Sequence, residues 1–395
     1  MRKRVVVFAL ALSLLLAGCV GETGGTGFDT AQPMPGYDAQ NQYMLSNAIS
    51  FQEADGFFCG TGSIGNLLYY YDKASGISGI LCTDPACAHD DAACGGHVES
   101  GANLSCYDGA LYWVAEDPQD TSGDRYLWRD DLSGNGRERV KPISFEHVVL
   151  PYQPQRYVIH RGRLYLLGRA DTVGADGVSA ATRVSLLSAS LDGGEEFTAL
   201  YDQTLDAWTD ATVRFVGNAA YLCLVSVTPE ERRDVTVLRC GLTDGSCETL
   251  YTVTDLEMIP GALWVTEEGE VYLPVANDEA QFLWRLENGS AVEAAAWSGD
   301  GSLDVTGGIA VRTSLADEVR LVQITDLSGQ VLYDGPLLPQ GIPGVEMGPD
   351  LWGLMIVGGD EDKLIVNLSL PSEEYTLMLD LKNEMEPTVL WGGQR

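Results

Sequence analysis

"NLSCYDGALYWVAED" occupies residues 103–117. It starts as a short strand, breaks at Asp108-Gly109, a turn dipeptide suited to positive φ, and resumes as a longer strand. The second strand is apolar almost throughout. A period of two puts Leu111 and Trp113 on one face and Tyr112 and Val114 on the other, so both faces are expected to meet neighbouring layers and not water. A hairpin with two dry faces needs other copies of itself on either side.

The copies are present. A first strand, a Gly turn, an aromatic-rich second strand, a loop, a third strand, a D-G-like turn and a fourth strand recur along the chain. Examples are "YVIHRGRLYLLGRA", "VRFVGNAAYLCLVSV" and "LDVTGGIAVRTSL". The first-turn glycines are Gly56, Gly109, Gly162, Gly217, Gly269 and Gly307, spaced by 53, 53, 55, 52 and 38 residues, and a seventh unit turns near Gly348. This period, with four strands per unit and almost no helical periodicity, indicates an all-β chain folded as a β-propeller of four-stranded antiparallel blades. Seven blades are expected. A merged sixth unit would give six, and strands from the N-terminal segment would give eight. Each unit is complete in sequence order, so no strand shared between the two ends is visible. One period running through the chain argues against two β-sandwiches.

The N-terminus reads "MRKRVVVFALALSLLLAGC": Arg2, Lys3 and Arg4, an apolar run too short to span a bilayer comfortably, then Leu16-Ala17-Gly18-Cys19. This order resembles the lipobox of bacterial lipoproteins. The resemblance implies a signal peptide over 1–18, cleavage before Cys19 and lipid on its thiol, hence export and anchoring at the outer face of the cytoplasmic membrane. Residues 20–42 are rich in Gly, Thr, Pro and Gln and read as a flexible tether, leaving 43–395 for the propeller. Net charge is −33, from 57 acidic and 24 basic residues, which disfavours nucleic acid and suits a soluble, monomeric domain or one with cationic partners.

"LCTDPACAHDDAACGGH", residues 81–97, concentrates Cys82, Cys87, His89 and Cys94 in a C-x4-C-x-H-x4-C pattern within a connection after the first unit. Three thiolates and an imidazole make a tetrahedral set suited to structural Zn²⁺. Asp84, Asp90 and Asp91 stand near enough in sequence to support His89, and Cys87-x-His89 demands a tight turn. Disulfides compete with metal, because an exported chain permits them and eight cysteines remain besides Cys19. Cys240 and Cys247 flank the turn "GLTDGS" and Cys223 lies on a preceding strand, so two of these three are expected within reach. Free thiols are the third alternative. The Cys loop together with the blade phrasing resembles variable propellers in exported lipoproteins of Gram-positive bacteria. That resemblance brings no activity with it.

Other motifs lead nowhere. "GTGSIG" at Gly60 precedes a strand, where a dinucleotide site needs a helix. "WSGDGSLD" at Trp297 lacks the closing residues of a sialidase-type Asp box, and "GGDEDK" at Gly358 reads as a hairpin tip. His147 and His160 stand alone. The tryptophans and the run Tyr69–Tyr71 fit packing between blades. The expected function is a non-catalytic binding or scaffold module for a protein, peptide or glycan. Long inserts at 116–125 and 170–181 would shape one rim. The alternative is a hydrolase or lyase acting on extracellular polymer with acidic residues in the propeller channel.

Overall fold

A computed structural model describes residues 51–394 apart from short stretches, of which the longest are 99–103, 118–124, 132–136, 144–156, 174–178 and 343–352. Cys19 and segments 1–18 and 19–42 lie outside the described residues, as do His147, Gly348, Trp352 and Asp91.

Seven antiparallel sheets form in chain order, each from consecutive strands. They span 51–80, 104–143, 157–205, 208–256, 259–298, 302–336 and 353–394, which we number blades 1 to 7. Blade 5 carries a split first strand, Ile259–Pro260 and Trp264–Val265, both paired with Val271–Ala276. Among the described residues the only helix is the 3₁₀ turn Leu381–Asn383. The six first-turn glycines all have positive φ, between 51° and 84°, which confirms the repeat at the residues that define it.

Seven apolar clusters hold the ring, one at each seam between adjacent blades. The opening hairpin shows how. Leu111, Trp113 and Ala115 pack on blade 1 while Tyr112 and Val114 pack on blade 3, as the alternation requires. Tyr70 likewise faces blade 2, whereas Tyr69 and Tyr71 face blade 7. The ring closes by the same device. Phe51 and Phe58 of blade 1 pack on Val357, Ile365, Leu390 and Trp391 of blade 7, with Trp391 stacked 6.1 Å from Phe51 and 6.2 Å from Tyr69. Lys363 of blade 7 reaches Glu53 at 3.2 Å. No described sheet mixes strands from the two ends.

First strands touch one another between blades 1 and 2, 2 and 3, 4 and 5, and 6 and 7, while fourth strands such as Ser290–Ser298 are largely exposed, so the first strands line the axis. Antiparallel order then sorts the connections. Starts of first strands, the turns between second and third strands, and links between blades share one end of the ring, here the linker face. The turns between first and second and between third and fourth strands share the other. The loop 82–97 leaves blade 1 at the linker face, and the Cys240–Cys247 hairpin lies on the opposite one.

Candidate metal centre

The stems of the cysteine loop are fixed to a single residue of blade 1. Leu68 accepts a bond from Leu81 N at 2.9 Å and donates to Gly96 O at 2.7 Å. Val98 N also donates to Asn66 O at 2.6 Å, so residues 96–98 run beside 66–68 like a fragment of strand. This approach needs glycine at 96: a Cβ there would lie 2.6 Å from Ile80 Cγ2 and 3.0 Å from Leu81 O. Between the stems, Asp84-Pro85-Ala86-Cys87 forms a turn with Cys87 N donating to Asp84 O at 3.1 Å, and Pro85 supplies the fixed φ that the second position of such a turn favours. The tight spacing of Cys87 and His89 is met by a left-handed backbone at His89, φ 59°.

These turns bring the four side chains together. The ligand atoms of Cys82, Cys87, His89 and Cys94 all lie within 4.8 Å of one another. Sulfurs around a tetrahedral Zn²⁺ with Zn–S bonds of about 2.3 Å stand about 3.8 Å apart, so a small contraction closes the set. His89 Nδ1 is 3.2 Å from Cys94 Sγ. Cys94 is buried and the other three are half-buried.

Each sulfur accepts a backbone N–H from the residue two positions on. His89 N donates to Cys87 Sγ at 3.4 Å, Gly96 N donates to Cys94 Sγ at 3.3 Å, and Asp84 N donates to Cys82. Gly95 N gives Cys82 a second such bond. Amides aimed at sulfur stabilise the thiolate, which is the form that binds metal. Asp84 N foremost holds the Cys82 thiol below its ordinary range, while burial pushes Cys94 up to about 11. A divalent cation reverses that burial cost, because a coordinating thiol is deprotonated outright. The carboxylate of Asp84 does not support His89. Its Oδ1 accepts from Ala86 N at 2.9 Å and stiffens the loop.

One residue that sequence reading passed over completes the site. Arg137, 42 residues beyond Gly95, donates from Nη2 to Gly95 O at 2.6 Å. Its guanidinium lies 4.9 Å from the centre of the Trp113 ring. In "GNGRERV" it reads as a turn arginine, and no local pattern distinguishes it from its neighbours. Beside the loop, Phe57, Cys59, Tyr70, Ile80, Leu81, Cys82 and Thr83 line a pocket of ≈ 220 Å³.

The remaining cysteines divide. Cys240 and Cys247, partners across the two strands of a hairpin, form a disulfide. Cys223 is a free, buried thiol pushed up to about 12 by burial and then by Asp210. Cys59 and Cys106 are free and buried in the seam between blades 1 and 2. His160 is fully buried on a strand of blade 3, where its Nε2 lies 2.8 Å from Gly217 O and its ring packs 5.5 Å from Phe215.

No protein-family model matches the chain, and no curated protein matches it. Solved structures share its fold. A structure from work on two prolyl endopeptidases superposes with a TM-score of 0.55 over 99% of this chain and 56% of its own, at 13% identity. Prolyl oligopeptidase B from Galerina marginata gives 0.54 over 98% of this chain and 55% of its own, at 10% identity. A puromycin hydrolase gives 0.53 over 92% and 57%, at 14% identity. The chain thus spans little more than half the length of each of these proteins, and what it shares with them is the seven-bladed fold.

Proposed function

We propose that the protein is a binding module held at the outer face of the cytoplasmic membrane through lipid on Cys19, that it takes a cationic polypeptide on its linker face, and that Cys82, Cys87, His89 and Cys94 hold a structural Zn²⁺ which orders that face. The observation that carries this reading is where large apolar side chains meet water. Among the described residues, five of the eight exposed ones lie at the linker end: Val173, Trp208, Ile259, Leu315 and Val319, with Leu315 65% and Val173 63% exposed. Ile77, Val292 and Val331 lie at the opposite end. Apolar side chains gathered on one face of a soluble domain mark interaction surfaces. Asp206, Glu257, Asp278, Glu279 and Asp300 are exposed at the linker end, so a partner with basic as well as apolar residues fits it. Polypeptide is the ligand class we favour because prolyl endopeptidases, which act on peptides, are among the proteins sharing the fold.

Full-length protein in detergent, titrated into fluorescent peptides of three compositions, tests the reading. Basic–apolar peptides are expected to bind, acidic–apolar and neutral polar ones to bind at least tenfold more weakly, and added salt to weaken the first. Trp208→Ala with Leu315→Asp should reduce binding tenfold or more. Equal affinity for all three compositions, or indifference to these substitutions, overturns it.

A second reading, hydrolysis of an extracellular polymer, is favoured by one residue. Asp304 sits on Ser302–Thr306, the axis-lining strand of blade 6, and burial raises its pKa, as a general acid requires. Turnover of a peptide or glycan substrate that Asp304→Asn abolishes would replace the binding reading with this one.

A further inference from the structure

Three thiolates and one Zn²⁺ leave a net charge of about −1 on a centre whose Cys94 sulfur is buried, and such a charge is costly unless a cation faces it. Arg137 is that cation, and its route to the sulfur is continuous. Nη2 donates to the carbonyl of Gly95, and the same peptide group presents Gly96 N–H, which donates to Cys94 Sγ at 3.3 Å. Hydrogen bonds linked in this way polarise one another: the guanidinium draws charge from the carbonyl, which strengthens the amide as a donor to sulfur.

Arg137 carries the complementary liability. It is substantially buried against Trp113, and its Nε is buried without a hydrogen-bond partner. Burial foremost works against its charge, and Asp130 is the first of the neighbouring groups that oppose this.

The two halves of this arrangement belong to different blades. The loop leaves blade 1, whereas Arg137 precedes Glu138–Ile143, the fourth strand of blade 2, and Trp113 is a core residue of the seam between them. We propose that Arg137 is a positioning residue for the metal centre, clamping the Gly95–Gly96 peptide against blade 2 so that metal binding tightens the seam between blades 1 and 2. The proposal rests on the metal reading of the cysteine cluster.

Zn²⁺ affinity by competition with a chromophoric chelator, paired with melting of full-length protein with and without Zn²⁺, tests it. Arg137→Met is expected to bind Zn²⁺ at least tenfold more weakly and to lose most of the metal-induced rise in Tm, with Arg137→Lys intermediate because it keeps the charge without the planar fork. Arg139→Gln, which removes an arginine paired with Asp117 on the same blade, should bind as wild type does. A residue that merely packs would lower both melting temperatures equally and leave affinity unchanged. Affinity within twofold of wild type in Arg137→Met, or an equal loss in Arg139→Gln, overturns the role of Arg137 while leaving the metal site standing. A wild-type chain that binds no Zn²⁺ overturns both.

Discussion

Cysteine is the residue whose meaning changes most with position in this chain. Burial keeps Cys59 and Cys223 protonated, each pushed up to about 12, and pushes Cys106 to about 11. The half-buried Cys82 and Cys87 sit in amide-rich turns at the surface. Iodoacetamide at neutral pH is therefore expected to spare Cys59, Cys106 and Cys223 in the native protein, and to label Cys82 and Cys87 only after chelation; peptide mass mapping reads both states. Labelling of Cys82 and Cys87 that ignores the chelator counts against a bound metal. The spacing C-x4-C-x-H-x4-C left a metal, disulfides and free thiols open, and it is the convergence of all four side chains that favours the ligand set. Its four sulfur-directed amides were not legible in the sequence, because they depend on backbone angles such as the left-handed His89. Arg137 was not legible either, because a contact 42 residues away leaves no local trace.

At the scale of elements, the repeat unit was readable because each strand answers to two neighbours. Period-two alternation within Ala110–Glu116 specified both seams it enters, and a Gly turn with positive φ marked the start of each of the first six blades. Loops carried no such double constraint, so the face on which each one emerges had to come from the antiparallel order. The same order places Asp304 on an axis-lining strand, where burial raises its pKa. The folded state therefore holds this proton more tightly than the unfolded chain, whose ordinary value is 3.8. Its contribution favours folding fully below that value and is lost as pH rises through the raised one. Asp304→Asn should accordingly raise Tm at pH 7 and change it little near pH 3. An unchanged or lowered Tm at pH 7 would show that the carboxylate is satisfied where it stands. The Gly96 approach belongs to this scale too. Gly96→Ala should cost about 1–3 kcal/mol in urea unfolding, because backbone at Leu81 cannot move away without breaking the bond to Leu68.

Among the described residues the molecule is a ring in which no blade borrows a strand, and side chains carry its closure. Trp391, 5% exposed between Phe51 and Tyr69, is the largest of them at the seam between blades 1 and 7. Trp391→Ala is expected to cost about 3–5 kcal/mol in denaturant unfolding, whereas Glu53→Gln, which loses part-exposed pairs with Lys73 and Lys363, should cost no more than about 1 kcal/mol. Comparable losses would mean that charge, not aromatic packing, closes the ring. A metal held by Cys82, Cys87, His89 and Cys94 would add a crosslink to a structure that is otherwise held by apolar seams. Native mass spectrometry of the full-length protein with Zn²⁺ and after chelation, followed by mass analysis of the denatured chain, tests that arrangement most directly. The expected result is one Zn²⁺ per chain, removed by chelator, with Cys82, Cys87 and Cys94 recovered as free thiols. A metal-free chain in which any of these three cysteines is joined in a disulfide would contradict it.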